Sequence, residues 1–166
     1  MYISENCIIF VNTIIVMRFI EFEGFQLEYG KRWIIKELCV LDQEQPLKPL
    51  YYLFTSDLPF ESLSQDEKFQ VGFVTTNIHG ISWFEGTSRF CASCVENRII
   101  EDFGNTCEFY TMGETKVKVL SELFPRLRIH NVDRSFKTLP NLMPHITCLH
   151  RVHGEHCAVR KCYRLF

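Results

Sequence analysis

The order of the secondary-structure patterns constrains the fold of this chain more than any other feature of the sequence. Three strand-like segments come first, at residues 14–23, 33–41 and 50–55, and each is rich in β-branched and aromatic residues. The links between them are short and contain glycine or proline. These segments predict an antiparallel meander.

Helix-like and strand-like segments alternate after the meander. We predict helices over residues 64–74, 90–103, 114–124 and 157–166, and strands over residues 107–111 and 127–132. Ser64 and Glu67 have the spacing of a capping box at the start of the first helix. A meander followed by this alternation predicts an α/β fold, in which helices cover both faces of a mixed sheet.

The chain length of 166 residues fits one domain. We expect residues 14–166 to form that domain and residues 1–13 to be a leader or an extension of the first strand, with Met17 as an alternative start. The apolar stretch 7–20 is too short and too polar for a membrane span, and it lacks the features of a secretory signal. We therefore expect an intracellular protein, cytoplasmic or nuclear, without a membrane partner and with reduced thiols.

Two acidic residues, Glu21 and Glu23, stand two positions apart on the first predicted strand. That spacing places both carboxylates on one face of the strand. Such a pair can hold a divalent metal ion for phosphodiester hydrolysis, whereas the simpler interpretation is two solvated acids at a sheet edge.

Two later motifs favour the metal interpretation. The tetrapeptide Ile78-His79-Gly80-Ile81 follows the third predicted strand and its helix, and the last helical segment begins His156-Cys157-Ala158-Val159-Arg160-Lys161. Together with the acidic pair, this order resembles the RNase H-like DEDDh 3′–5′ exonucleases, whose motifs include D-x-E, H-G-I and H-x-A-x-x-D. The resemblance implies an RNase H-like sheet and catalytic positions at Glu21, Glu23 and His156, with the histidine as general base.

The same resemblance indicates an incomplete carboxylate set. Lys116 and Lys161 stand where the exonucleases carry metal-binding aspartates, and Glu114 is a nearby substitute for the first of these. Each replacement of aspartate by lysine changes the charge by two units, and a two-metal site needs several carboxylates to balance its cations. We therefore expect the usual Mg²⁺ or Mn²⁺ chemistry to be lost.

A cluster of potential zinc ligands lies near the C-terminus. Residues 148–157 contain two cysteines and three histidines, and zinc prefers thiolate and imidazole ligands. The segment is similar to the end of the Maelstrom domain, an RNase H-like module of the piRNA pathway that generally carries a Glu-Cys-His-Cys zinc set in place of the DEDDh carboxylates. This resemblance implies a structural zinc held by Glu37, Cys148, His153 and Cys157, with His150 as an alternative to His153.

Cys91 and Cys94 form a second cysteine motif, C-x-x-C. Such a motif can bind zinc or perform redox chemistry. Its helical spacing next to apolar residues favours two buried thiols instead. A third alternative is a Cys₄ metal site formed with Cys148 and Cys157.

The net charge of −2 provides no overall basic field, so nucleic-acid binding would need a local patch. Lysine and arginine outnumber acids after Leu127, and Trp83, Tyr110 or Phe136 are candidates for stacking on bases. We predict a non-catalytic, exonuclease-like domain with structural zinc that binds single-stranded RNA or DNA, or a protein partner. The alternatives are an active Mg²⁺- or Mn²⁺-dependent nuclease with a reduced carboxylate site, and a metal-free interaction protein.

Overall fold

The computed structural model describes residues 17–132 and 157–165, and a six-stranded mixed sheet lies at their centre. The strands are β1 (Arg18–Leu27), β2 (Arg32–Asp42), β3 (Leu50–Thr55), β4 (Ser88–Arg89), β5 (Glu108–Thr111) and β6 (Arg128–Asn131). Their order in the sheet is β4-β3-β2-β1-β5-β6. Because β1, β2 and β3 pair antiparallel while the other three pairs are parallel, the predicted meander and mixed sheet are confirmed. The two-residue strand β4 was not expected from the sequence.

The four predicted helices are present, with small shifts at their ends. They are α1 (Gln65–Val74), which continues as a π-helical turn at Thr75–His79, α2 (Ala92–Phe103), α3 (Glu114–Leu123) and α4 (Ala158–Leu165). The capping box at the start of α1 forms as predicted. The Glu67 backbone N–H donates to Ser64 Oγ (3.3 Å), and the Ser64 N–H donates to Glu67 Oε2 (2.9 Å).

Side chains of the central strands contribute to three buried clusters, two of which lie on opposite faces of the sheet. Ile20 and Phe22 of β1 contact buried residues of α2 and α3, on one face of the sheet. Phe19 of β1, together with Cys39 and Leu41 of β2, packs against α4 on the opposite face. The prediction that helices cover both faces is therefore confirmed.

A β-bulge interrupts the pairing of β1 with β2 beside the acidic pair. Glu23 lies opposite Glu37 and Gly24 lies opposite Ile35, so Lys36 is the additional residue. Lys36 is fully buried, and its ammonium donates to the Trp83 carbonyl (2.9 Å). Burial lowers the pKa of Lys36 to about 8, although the nearby Glu85 carboxylate opposes the shift. The bulge thus joins the loop at Trp83 to the sheet.

Gly24 is required at this bulge because there is no room for a side chain. A Cβ atom on Gly24 would lie 2.1 Å from the Ile34 carbonyl oxygen, which is a backbone atom and has little freedom to move. We expect Gly24→Ala to lower the free energy of unfolding by about 3 kcal/mol, the upper end of the usual overpacking cost. Urea denaturation measures the change.

Gly72 provides a matched control in the exposed interior of α1, where a Cβ atom would meet nothing within 4 Å. Gly72→Ala should raise the free energy of unfolding by about 0.5–1 kcal/mol, because alanine loses less conformational entropy than glycine in a helix. A Gly24→Ala variant as stable as the parent chain would contradict the described packing of β1 against β2.

Candidate functional site

The candidate site lies where β1 extends beyond its parallel neighbour. The described pairing of β1 with β5 covers only Arg18 with Phe109 and Phe19 with Tyr110. Strand β5 ends at Thr111, and the chain then turns into α3, whereas β1 continues to Leu27. The carboxyl ends of parallel strands are where open α/β sheets usually place functional groups.

Glu21 is more buried than Glu23, with 1% of its surface exposed. Its Oε1 accepts hydrogen bonds from Thr111 Oγ1 (3.0 Å) and from the Met112 backbone N–H (3.0 Å). Its Oε2 accepts a hydrogen bond from the ammonium of Lys116. Glu21 is thus held by the end of β5 and by the first turn of α3.

The Lys116 ammonium lies at the edge of β1, beyond its described pairing with β5. It also donates to the Phe22 carbonyl (3.0 Å) and to Glu23 Oε1 (3.3 Å). Burial lowers the pKa of Lys116, but the Glu21 and Glu23 carboxylates raise it by more, so the net shift is upward. Lys116 therefore carries its positive charge at neutral pH.

Lys161 reaches one of these two carboxylates, that of Glu23, from the other side of the cluster. It lies on α4, and its ammonium donates to Glu23 Oε1. Glu21, Glu23, Lys116 and Lys161 together form what we call the carboxylate–lysine cluster. Its two carboxylates and two ammonium groups balance in formal charge.

The structure brings together four of the residues that the exonuclease motifs single out. Lys116 contacts Glu21 and Glu23, and Lys161 contacts Glu23. Glu114, the suggested substitute for the first aspartate, is exposed and accepts a hydrogen bond from Asn131 Nδ2 (2.6 Å). His156 lies outside the described residues.

The cluster is poorly suited to binding a divalent cation. Two unit charges 4 Å apart interact by about 4 kcal/mol at an effective dielectric constant of 20, so a divalent cation at that distance from one ammonium would be repelled by about 8 kcal/mol. Both ammonium groups also occupy hydrogen-bonding positions on Glu23. A metal ion would have to displace them.

Glu37 and Cys157, two of the expected zinc ligands, lie side by side. Glu37 is fully buried on β2, and its Oε2 accepts a hydrogen bond from the Ala158 N–H at the start of α4 (2.7 Å). Its Oε1 accepts hydrogen bonds from Tyr51 Oη (2.8 Å) and from Cys157 Sγ (3.5 Å). The remaining candidates, Cys148, His150 and His153, lie outside the described residues.

The spacing of this pair fits a shared zinc ion. Zinc bonds of about 2.0 Å to oxygen and about 2.3 Å to sulfur, at the tetrahedral angle, place the two ligand atoms about 3.5 Å apart. Glu37 Oε1 and Cys157 Sγ are 3.5 Å apart, which matches this spacing. Within residues 17–132 and 157–165, no group of three or more His, Cys, Asp or Glu side chains is close enough to hold a metal ion.

His79 of the H-G-I motif lies in the interior rather than at the carboxylate–lysine cluster. It is 1% exposed, and its Nδ1 accepts a hydrogen bond from the Ile81 N–H (3.0 Å). Its Nε2 therefore carries the proton and faces the Gly24 carbonyl (3.3 Å). Gly80 adopts the left-handed conformation at the end of the π-helical turn. The motif thus connects this turn to Gly24 of β1, which lies beside the bulge in β2.

The expectation of two buried, reduced thiols at the C-x-x-C motif was wrong. Cys91 and Cys94 form a disulfide at the start of α2, and Cys94 is exposed rather than buried. Because α2 and α4 pack on opposite faces of the sheet, these cysteines are separated from Cys157, and a Cys₄ site with it is excluded.

One of the proposed stacking residues is also excluded. Trp83 is 4% exposed and packs against Phe25, so it cannot stack on a base. Tyr110 remains partly exposed, and Phe136 lies outside the described residues.

The sequence did not indicate the roles of Thr111 and Tyr51 as hydrogen-bond partners of Glu21 and Glu37. The position of Thr111 at the end of a strand was a usable signal, whereas the contact of Tyr51 depends on the register of β2 with β3.

Comparison of the chain with protein-family models, with curated proteins and with solved structures finds no match in any of the three. Among the described residues, no helix has both the length and the apolar character needed to cross a membrane.

The Lys116 contacts predict a large stability loss when its charge is removed. We expect Lys116→Met to lower the free energy of unfolding by about 3–5 kcal/mol, because it leaves the buried Glu21 carboxylate without its cation. Urea denaturation at low salt measures the loss. Adding Glu21→Gln should restore part of the stability, because the double variant no longer buries an unpaired charge.

The exposed pair Arg98–Asp102 on α2 provides the control, since its side chains are 56% and 31% exposed. Arg98→Met should cost less than about 0.5 kcal/mol. Equal losses for Arg98→Met and Lys116→Met would show that the carboxylate–lysine cluster does not stabilise the fold.

Proposed function

We propose that this chain is a non-catalytic, exonuclease-like domain that binds single-stranded nucleic acid, foremost RNA, or a protein partner. A structural zinc ion stabilises it. The observation that carries the proposal is the carboxylate–lysine cluster, in which two ammonium groups neutralise the acidic pair. A protein can keep such a fold and bind a strand without cutting it.

The arrangement of the sheet supports the RNase H-like part of the proposal. Apart from the two-residue strand β4, the meander β1–β3 occupies one side of the sheet, and β5 and β6 extend it parallel to β1 on the other side. This is the arrangement expected of RNase H-like exonucleases. The acidic pair lies on the strand that those enzymes use for their D-x-E motif.

The same contacts weigh against the alternative of an active nuclease. Metal-dependent hydrolysis requires carboxylate oxygens that are free to coordinate cations. Glu21 accepts three hydrogen bonds, and Glu23 Oε1 accepts two from lysine. A nuclease would have to break both lysine contacts before it could bind Mg²⁺ or Mn²⁺.

Partly exposed side chains on β5 and β6 support a nucleic-acid partner. Tyr110 lies beside His130 on the neighbouring strand, with ring centroids 5.5 Å apart, and Arg128 is exposed on the same strand. Aromatic rings stack on unpaired bases, and an arginine contacts backbone phosphate. These residues form a candidate contact for a single strand.

We expect the purified chain to bind a fluorescent single-stranded RNA without cleaving it in Mg²⁺ or Mn²⁺. Fluorescence anisotropy measures binding, and a denaturing gel of the same samples measures cleavage. Arg128→Gln should weaken binding and reduce its salt dependence, because one phosphate contact is lost. Lys118→Gln, an exposed cation on α3, serves as the control.

Metal-dependent cleavage that disappears in Glu23→Gln would overturn the non-catalytic proposal. If the RNA is neither bound nor cleaved, the result would instead favour a protein as the partner.

The zinc part of the proposal rests on Glu37 and Cys157. A metal-binding carboxylate is usually oriented by further hydrogen bonds, which Tyr51 and the Ala158 N–H provide here. Glu37, Cys148, His153 and Cys157 would hold the ion, with His150 as the alternative histidine. Bound zinc would tie β2 to the start of α4 and add its binding free energy to the stability of the fold.

Elemental analysis of the purified chain should find about one zinc per chain, and chelation should lower its melting temperature. Cys157→Ser should lose the zinc. Cys162→Ser should keep the zinc. The Cys162 thiol on α4 contacts the Phe19 and Cys39 carbonyls instead, and burial raises its pKa well above the usual value. Protein without zinc, or equal zinc loss in both variants, would contradict the assignment.

A further inference from the structure

The disulfide between Cys91 and Cys94 lies closer to solvent than three of the four free cysteines that the structure describes. Cys39, Cys157 and Cys162 are fully buried, whereas Cys94 is exposed and Cys91 is partly exposed. The Cα atoms of the pair are 5.3 Å apart, a normal separation for a disulfide. The bond is therefore open to attack by a dissolved thiol.

The start of α2 favours negative charge on one of the two sulfurs. Cys91 is the N-cap of this twelve-residue helix, and the Cys94 N–H lies 3.4 Å from Cys91 Sγ. The first turn contains no acidic residue. Backbone N–H groups at a helix N-terminus stabilise a thiolate, so Cys91 is the better leaving group of the pair.

An open cavity of about 330 Å³ adjoins the disulfide. Tyr52, Phe54, Arg89 and Arg98 line it together with the two cysteines. Arg98 is paired with Asp102, and Arg89 is exposed on β4. An aromatic wall with arginine beside it suits a small molecule that bears carboxylates.

We propose that Cys91 and Cys94 form a thiol–disulfide exchange site for a low-molecular-weight thiol that carries carboxylates. The thiolate of the small molecule attacks Cys94 Sγ, the bond between the two cysteines breaks, and Cys91 leaves as the thiolate. A second thiolate then attacks the sulfur of the bound small thiol and releases Cys94. The protein gains two electrons and two protons, and two small thiols become one disulfide.

This site is independent of the proposed function, because α2 and α4 lie on opposite faces of the sheet. A loss of zinc or of RNA binding would leave it unchanged.

The test uses oxidised glutathione as the probe and peptide mass spectrometry as the readout. In Cys91→Ser, we expect a stable glutathione adduct on Cys94, because the resolving thiol is gone. Cys94→Ser should carry several-fold less adduct on Cys91 at equilibrium, because the start of α2 stabilises the free Cys91 thiolate and so favours loss of the bound glutathione. Serine is itself a good N-cap, so Cys91→Ser should retain α2. Equal adducts in the two variants, or none on Cys94, would overturn the proposal.

A second measurement tests the arginine in the cavity. Reduction of the disulfide by glutathione should slow several-fold in Arg89→Gln, whereas reduction by the uncharged thiol 2-mercaptoethanol should not change. Arg32→Gln, an exposed arginine next to the turn between β1 and β2, is the control. An equal effect of the two substitutions, or an equal effect on both thiols, would remove the preference for a carboxylate-bearing thiol.

Discussion

Two carboxylates buried on one face of β1 are the constraint on which the centre of the molecule depends. Glu21 is 1% exposed and Glu23 is 8% exposed, and a buried negative charge is costly unless hydrogen bonds and a cation compensate for it. In metal-dependent nucleases, divalent ions meet this need. In this chain the ammonium groups of Lys116 and Lys161 do so, and each comes from a different helix.

The same compensation organises the packing of the helices. Lys116 fixes the first turn of α3 to the part of β1 that extends beyond the end of β5. The helix α4 is held by two buried acids, since Lys161 binds Glu23 and the Ala158 N–H binds Glu37. Glu23 and Glu37 are opposite each other across the β1–β2 ladder, just before the bulge. One short section of two strands therefore anchors both helices.

The sequence predicted the elements well because their signals are local. The strand Leu50–Thr55 and the capping box at Ser64 follow from periodicity and spacing alone. The proximity of Lys116 to Glu21 could also be anticipated, because the exonuclease motifs relate distant segments of the chain. Two other features could not be anticipated: the exposure of the C-x-x-C motif and the burial of Trp83. Both depend on which side of the sheet a neighbouring segment covers. The bulge at Lys36 could not be predicted from the sequence either, because it depends on how two strands pair.

Lysine ammonium groups occupy the positions beside Glu21 and Glu23 that a divalent metal ion would have to take in order to bind there. Titration with Mn²⁺, followed by electron paramagnetic resonance, tests this claim most directly when the natural chain is compared with the double variant Lys116→Asp/Lys161→Asp. We expect the natural chain to bind no Mn²⁺ at the carboxylate–lysine cluster and the double variant to bind it, with loss of that binding when Glu23→Gln is added. Binding of Mn²⁺ by the natural chain that depends on Glu23, or a folded double variant that gains none, would contradict the claim.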